Sequence, residues 1–120
     1  MRAKEIASIL DTELLTSPPD MDEIDIATAC GSDMMSDVIA FVKERVALLT
    51  GLTNPQVVRT AELLDIRVII FVRGKKPSAE LISMARDQHI VLMSTHYSMF
   101  TACGRLYQAG ITGDSGCRTE

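Results

Sequence analysis

Two uninterrupted apolar runs, residues 46–49 (VALL) and 68–72 (VIIFV), constrain this chain more than anything else in it. Each is too short for a helix, and each is cut off by a turn with glycine, Thr50-Gly51 in one case and Arg73-Gly74 in the other. A strand apolar on both faces has to be covered on both, the condition of a parallel strand between helix layers. The residues between the runs repeat at helical spacing. Val57, Val58, Ala61 and Leu64 share one face, and Arg59 and Glu62 take the other. Asn54 fits the cap of that helix, with Pro55 at the first helical position, where its missing N–H costs nothing. The unit is strand, helix, parallel strand, and such a crossover is right-handed almost without exception.

The flanking segments extend the same pattern. Ile6, Ile9 and Leu10 fall on one face of a helix over residues 3–10, and a short extended piece at 12–15 runs into the breaker Ser17-Pro18-Pro19-Asp20. Ile24, Ile26, Thr28 and Cys30 alternate, which predicts a strand nearer the sheet edge with those four side chains on one side. Ser32 can cap a helix to about residue 43, with Met35, Val38, Ile39 and Val42 as its buried stripe. Ser78 caps another, carrying Leu81, Ile82 and Ala85 inward, and residues 90–93 (IVLM) are a further buried strand. The last helix spans 99–109 and stops at Gly110, which can take the left-handed conformation. The expected fold is α/β, a three-layer α/β/α arrangement with a mostly parallel sheet of about five strands, the N-terminal helix and short strand adding to one edge. Residues 1–111 are read as one domain and 112–120 as a flexible C-terminal tail.

Composition narrows the function classes. The 120 residues are 47% hydrophobic but only 4% aromatic, so the interior is aliphatic. A net charge of −4 argues against a general nucleic-acid binder, which needs a basic face to neutralise phosphates. No apolar run approaches the roughly 20 residues that span a bilayer, and the amphipathic N-terminus is unlike a signal peptide. Cys30, Cys103 and Cys117 are odd in number and widely spaced, which is no disulfide framework; a cytoplasmic location is expected.

In a parallel sheet the strand-to-helix loops gather on one rim, where ligands sit. Four loops meet that condition, and they supply the candidate ligand-binding residues Ser32, Asp33, Thr50, Gly51, Thr53, Asn54, Arg73, Gly74, Lys75 and His96. Hydroxyl and amide groups at helix starts favour an anion, and Arg73, Lys75 and Lys76 are the densest positive charge in an acidic chain. The same residue types are also what turns and caps require, and a lone loop histidine has no predictable carboxylate beside it. No P-loop, GxGxxG, GxSxG or HExxH string is present, so neither catalysis nor a cofactor is expected, and no catalytic residue is assigned. The leading expectation is a non-catalytic regulatory or accessory domain binding a small anionic ligand, a nucleotide among the candidates. One alternative is a protein–protein interaction scaffold of a larger enzyme complex. Another is a metal or redox site using Cys30, His96 and Cys103, although isolated cysteines are usually small core hydrophobes. Met34, Met35, Phe100 and Tyr107 are candidate apolar contacts of a homodimer.

The order and wording of several segments resemble the DRTGG domain family, which includes the N-terminal domain of HPr serine kinase/phosphorylase. The matching residues are Leu10 with Thr12-Glu13-Leu14-Leu15, the run from Ala29 through Gly31-Ser32-Asp33 to Val38, Leu48-Leu49-Thr50-Gly51, and Asn54 through Ala61. Phe71 through Pro77 and Cys103-Gly104-Arg105-Leu106-Tyr107 complete the set, which covers nearly all of the chain. The resemblance implies a compact α/β/α domain used as an accessory or regulatory module beside kinase, phosphotransacetylase or nucleotide-sensing pyrophosphatase modules. The string DRTGG itself is absent, Leu52-Thr53-Asn54 standing where it would fall, and without a P-loop kinase activity does not carry over.

Overall fold

The computed structural model describes residues 1–41 and 44–113. Its elements run α1 (Ala3–Ile9), β1 (Glu13–Leu14), a 3-10 turn (Met21–Glu23), β2 (Thr28–Gly31), α2 (Met35–Phe41), β3 (Val46–Thr50), α3 (Gln56–Leu64), β4 (Val68–Phe71), α4 (Ala79–Asp87), β5 (Val91–Ser94) and α5 (Met99–Gln108). The five strands form one sheet in the order β1-β5-β4-β3-β2. β2 through β5 are mutually parallel, and β1 joins β5 antiparallel. The three crossovers each step one strand along in the same direction. Right-handedness therefore puts α2, α3 and α4 on one face. The other face is left to α1 and α5.

The core is split accordingly. On one side Leu48, Ile69, Phe71 and Leu92 of the sheet meet Met35, Val38, Val57, Val58, Ala61, Leu81 and Ala85. On the other, Leu49, Ile70, Val91 and Met93 meet Ile6, Leu10, Ala102 and Leu106. Consecutive residues along β3, β4 and β5 thus feed opposite layers, which is why their sequences read as unbroken apolar runs.

The caps act as their residue types require. Asn54 Oδ1 accepts from Gln56 N–H at 3.0 Å, Ser78 Oγ from Leu81 N–H at 3.3 Å and Ser98 Oγ from Thr101 N–H at 3.2 Å. Gly110 ends α5 at φ +112°.

Two expectations are corrected. The segment from Ile24 to Cys30 is not one alternating strand: Ile24 and Ile26 pack in the α1–α5 layer while Cys30 packs in the opposite one. Parity breaks where Ala27 N–H and Thr28 N–H both point at Arg45 O, at 2.8 and 3.4 Å, so regular pairing begins only at Thr28. Ile39 is exposed rather than buried. Among the side chains of α2 that are described, Met35 and Val38 are the ones that enter the core; Val42 lies outside the described residues. Thr112, read as tail, bridges to Thr28 and accepts from Ala29 N–H at 3.1 Å, continuing the sheet beyond β2. Residues 114–120, with Cys117, lie outside the described part. No described helix is long and apolar enough to cross a membrane.

Candidate functional site

Because β2 to β5 are parallel, the loops that follow them come out at one end, and hydrogen bonds tie each to the next. Asp33, after β2, accepts at Oδ1 from Thr50 Oγ1 at 3.0 Å and from Gly51 N–H at 2.6 Å, both after β3. The Thr50 hydroxyl in turn accepts from Leu52 N–H. Val72 N–H donates to Thr50 O at 3.1 Å, joining the loop after β3 to the one after β4. Arg73 N–H donates to Tyr97 O and Gly74 N–H to Thr95 O, each at 2.8 Å, and Ser94 Oγ donates to Lys75 O. The rim is one hydrogen-bonded band.

The basic loop is the most constrained part of it. Lys75 N–H closes onto Val72 O at 3.2 Å, with Arg73 at φ +59° and Gly74 at φ +69°. Two successive positive φ values give the primed kind of turn, which suits glycine and asparagine. An arginine there costs on the order of 1 kcal/mol or more. The paired bonds to Tyr97 O and Thr95 O hold it in place, and the exposed guanidinium is thereby aimed back over Gly51. A Cβ on Gly51 would lie 3.0 Å from Arg73 Nη2 and 3.5 and 3.6 Å from the two Asp33 carboxylate oxygens. Arg73, Asp33 and the Gly51 backbone thus surround one small volume.

Lys76 pairs with Glu13 at 2.8 Å, whereas among the described residues neither Arg73 nor Lys75 has a carboxylate within ion-pair distance. His96 is exposed and its ring stands 4.4 Å from that of Tyr97, over which the Arg105 guanidinium lies at 4.7 Å. Asp33, Thr50, Gly51, Arg73, Gly74 and Lys75 therefore belong to one connected band, and His96 stands beside it against the Tyr97 ring. Ser32, Thr53 and Asn54 stand aside from its bonding: the Ser32 hydroxyl accepts from Met34 N–H in its own turn, Asn54 caps α3, and Thr53 lies between. Sequence reasoning places the Tyr97 phenol on the rim with the His96 loop, without counting it among the ten candidates, and misses Arg105. The reach of Arg105 from the middle of α5 has no signal in the sequence.

The cysteine reading fares differently. Cys30 and Cys103 pack on opposite faces of the sheet, and no three His, Cys, Asp or Glu side chains among the described residues are grouped to hold a metal ion. Burial pushes both thiols up, helped by Asp37 at Cys30 and by Cys30 at Cys103, so the thiolate a metal or redox role needs is disfavoured. Cys103 has a packing role instead. A Cβ on Gly31 would sit 2.7 Å from Cys103 Sγ and 3.1 Å from Met99 Sδ, so α5 seats against β2 only because residue 31 has no side chain. Gly31→Ala is expected to cost about 1–3 kcal/mol by overpacking, read as a lower urea midpoint, and adding Cys103→Ala should recover most of it. A double variant no more stable than Gly31→Ala alone would place the cost elsewhere.

Larger clefts open at the opposite end of the sheet. One of about 470 Å³ is lined by Pro19, Asp20, Asp65, Arg67, Gln88 and His89; another, of about 430 Å³, adjoins it and shares Asp20, Asp65 and Arg67. The arginines of these two clefts are already paired, Arg67 with Asp20 and Arg45 with Asp25. Arg67 holds Asp20 through both carboxylate oxygens and also donates to His89 O, and its hydrogen bond keeps the Asp20 carboxyl below its usual range. Asp25 is likewise lowered, chiefly by the N-terminal ammonium. Volume alone favours this end. Arg73 and Lys75, two cations without a carboxylate partner among the described residues, stand together on the rim, and charge rather than volume selects an anion.

A solved structure shares this fold. It is the crystal structure of the CBS and DRTGG domains of the regulatory region of Clostridium perfringens pyrophosphatase, complexed with its activator diadenosine tetraphosphate, and it superposes with a TM-score of 0.75 at 19% identity. The likeness is one of fold. It covers 90% of this chain and 46% of the other, so the chain spans about half the length of the protein it matches. No protein-family model matches the chain, and no curated protein matches it. An α/β fold that occurs in a CBS and DRTGG regulatory region is thus present here, with its parallel strands ending at the Asp33–Arg73 band.

Proposed function

We propose that this chain is a non-catalytic regulatory or accessory domain of the DRTGG kind that binds a small phosphate-bearing ligand, of nucleotide class, on the rim above β3 and β4. The observation that carries the reading is the Arg73–Lys75 turn: two cations held by a strained, doubly hydrogen-bonded backbone and left without carboxylate partners among the described residues. Strain of that kind persists where the surroundings over-determine it, and a guanidinium fork suits phosphate better than a solvated turn requires. The exposed His96 beside Tyr97 offers a flat surface for a base. The fold neighbour is a regulatory region with a dinucleotide activator, which supports the same class of role.

The test is thermal stability across a panel of inorganic pyrophosphate, AMP, ADP, ATP and diadenosine tetraphosphate. A ligand at 100 times its Kd adds about 2.7 kcal/mol to stability, enough to raise Tm by several degrees. Arg73→Ala with Lys75→Ala should remove the shift while leaving the unliganded Tm nearly unchanged, since both side chains are exposed. No shift in the intact protein with any of the five would end this reading.

A second reading, a protein-interaction scaffold or homodimer, has its own observation. Phe100 is 86% exposed, Met34 60% and Tyr107 55%. Met35, expected to contribute, is buried on the inner face of α2 and is unavailable. Light scattering separates the readings: a monomer at every concentration, with no partner recovered in pull-down, counts against the scaffold. The chain is further proposed to work in the cytoplasm, where the ligands named above are abundant and thiols stay reduced.

A further inference from the structure

The two donors best placed to receive an anion at the end of β3 are the Thr50 hydroxyl and the Gly51 N–H. They converge on a single oxygen, Asp33 Oδ1, at 3.0 and 2.6 Å. A backbone amide and a hydroxyl meeting at one charged oxygen is the arrangement with which proteins hold oxyanions. Here the oxyanion belongs to the chain itself. Arg73 Nη2 faces the same volume from the other side, yet does not come within ion-pair distance of the Asp33 carboxylate.

We infer that Asp33 is a displaceable internal anion, whose carboxylate holds the donors that an incoming phosphate takes, so that the ligand binds by exchange with it. This rests on the rim reading above and adds the residue that sets its selectivity. Three observations favour exchange over a fixed structural bond. Asp33 is exposed and sits in a short loop that is anchored to the sheet just before it, by Ser32 N–H to Leu49 O at 3.0 Å. Rotating the Asp33 side chain away breaks no ladder bond. The Ser32 hydroxyl is bonded within its own turn to Met34 N–H at 3.0 Å, so α2 keeps its start when Asp33 moves. The carboxylate also serves the site incompletely. It bonds Thr50 and Gly51 and leaves Arg73 and Lys75 unpaired among the described residues.

A phosphate group has more charge and more acceptor oxygens than a carboxylate, and so can serve Thr50, Gly51 and Arg73 at once. A monovalent carboxylate would replace like with like and gain nothing. Selection for phosphate over carboxylate follows from the competitor the chain carries.

Calorimetric titration with inorganic pyrophosphate, and separately with acetate, tests this on the full chain, on Asp33→Asn and on Asp33→Ala. The neutral variants should bind pyrophosphate at least tenfold more tightly than the native protein. Acetate should bind Asp33→Ala measurably while leaving the native protein unaffected. Adding Arg73→Ala to Asp33→Asn should cancel the gain. Asp33→Asn keeps the shape and one acceptor, so it remains decisive if Asp33→Ala does not fold. Native binding of pyrophosphate with equal or weaker binding by Asp33→Asn would overturn the exchange and leave the rim reading standing. Failure of all three proteins to bind pyrophosphate would overturn both.

Discussion

Phe71→Ala is expected to lower stability by about 3–5 kcal/mol, the usual cost of emptying a fully buried aromatic site. Phe71 is the largest side chain with essentially no exposure, and it stands at the end of β4 in the layer covered by α2, α3 and α4. Leu48, Leu92 and Leu81 pack in the same cluster, held by two neighbouring strands and a helix, so the space cannot collapse without moving several elements. Domains of this size are stable by only about 5–15 kcal/mol, and the change should lower Tm by more than about 10 °C. Phe71 N–H and C=O belong to the ladder directly below the Arg73 turn, so the variant should also blunt any ligand response at the rim. Chemical denaturation followed by far-UV circular dichroism checks the first part. A loss below about 1 kcal/mol would mean that the core around Phe71 is far looser than its packing implies.

The second large effect is at a residue with no apparent motif. Thr16 is buried, and its hydroxyl donates to Ile90 O at 2.6 Å while accepting from Leu92 N–H at 2.8 Å. β1 pairs with β5 over two residues only, Glu13 with Ser94 and Leu14 with Met93. Below them the edge of β5 would present an unpaired amide and carbonyl under cover. The Thr16 side chain closes that gap in place of a strand. Thr16→Val keeps the shape and removes both bonds, leaving a buried donor and a buried acceptor unsatisfied, at an expected cost of about 2–4 kcal/mol. Thr16→Ser keeps the hydroxyl and should lose no more than about 1 kcal/mol, the worth of one methyl group. Hydrogen exchange at Leu92 N–H distinguishes this from a general loosening: it should accelerate in Thr16→Val well beyond the exchange of Leu48. Equal stability of the valine and serine variants would remove the role assigned to the hydroxyl.

Thr16 also marks where reading the chain as a string runs out. The strand-helix alternation, the parallel sheet and the helix caps at Asn54 and Ser78 could be read because each depends on residues within one or two turns of one another. Periodicity and capping are local rules. The parity of β2 could not be read. It turns on Ala27 and Thr28 both reaching Arg45, a residue on another strand's approach. Ile39 is exposed for a related reason: an amphipathic stripe tells which side of a helix is apolar, not whether another element covers all of it.

The rim divides in the same way. That Ser32, Asp33, Thr50, Gly51, Arg73, Gly74, Lys75 and His96 come out at one end follows from strand direction alone. Which of them face one another does not. Asp33 was grouped with the hydroxyl and amide residues as one more polar side chain. Its place on Gly51 N–H changes its meaning from contact to competitor. Arg73 and Lys76 were equal members of a basic run until Glu13, more than sixty residues earlier, was seen to neutralise only Lys76.

The order of apolar and polar residues along the chain was thus enough to determine α/β class, strand direction and the end of the sheet where the loops collect, because those follow from burial of short apolar runs on both faces. Only the folded chain decided which charges are spent and which are free. Ion pairs and hydrogen bonds between distant segments depend on separations of a few ångströms, and no spacing in the sequence encodes them.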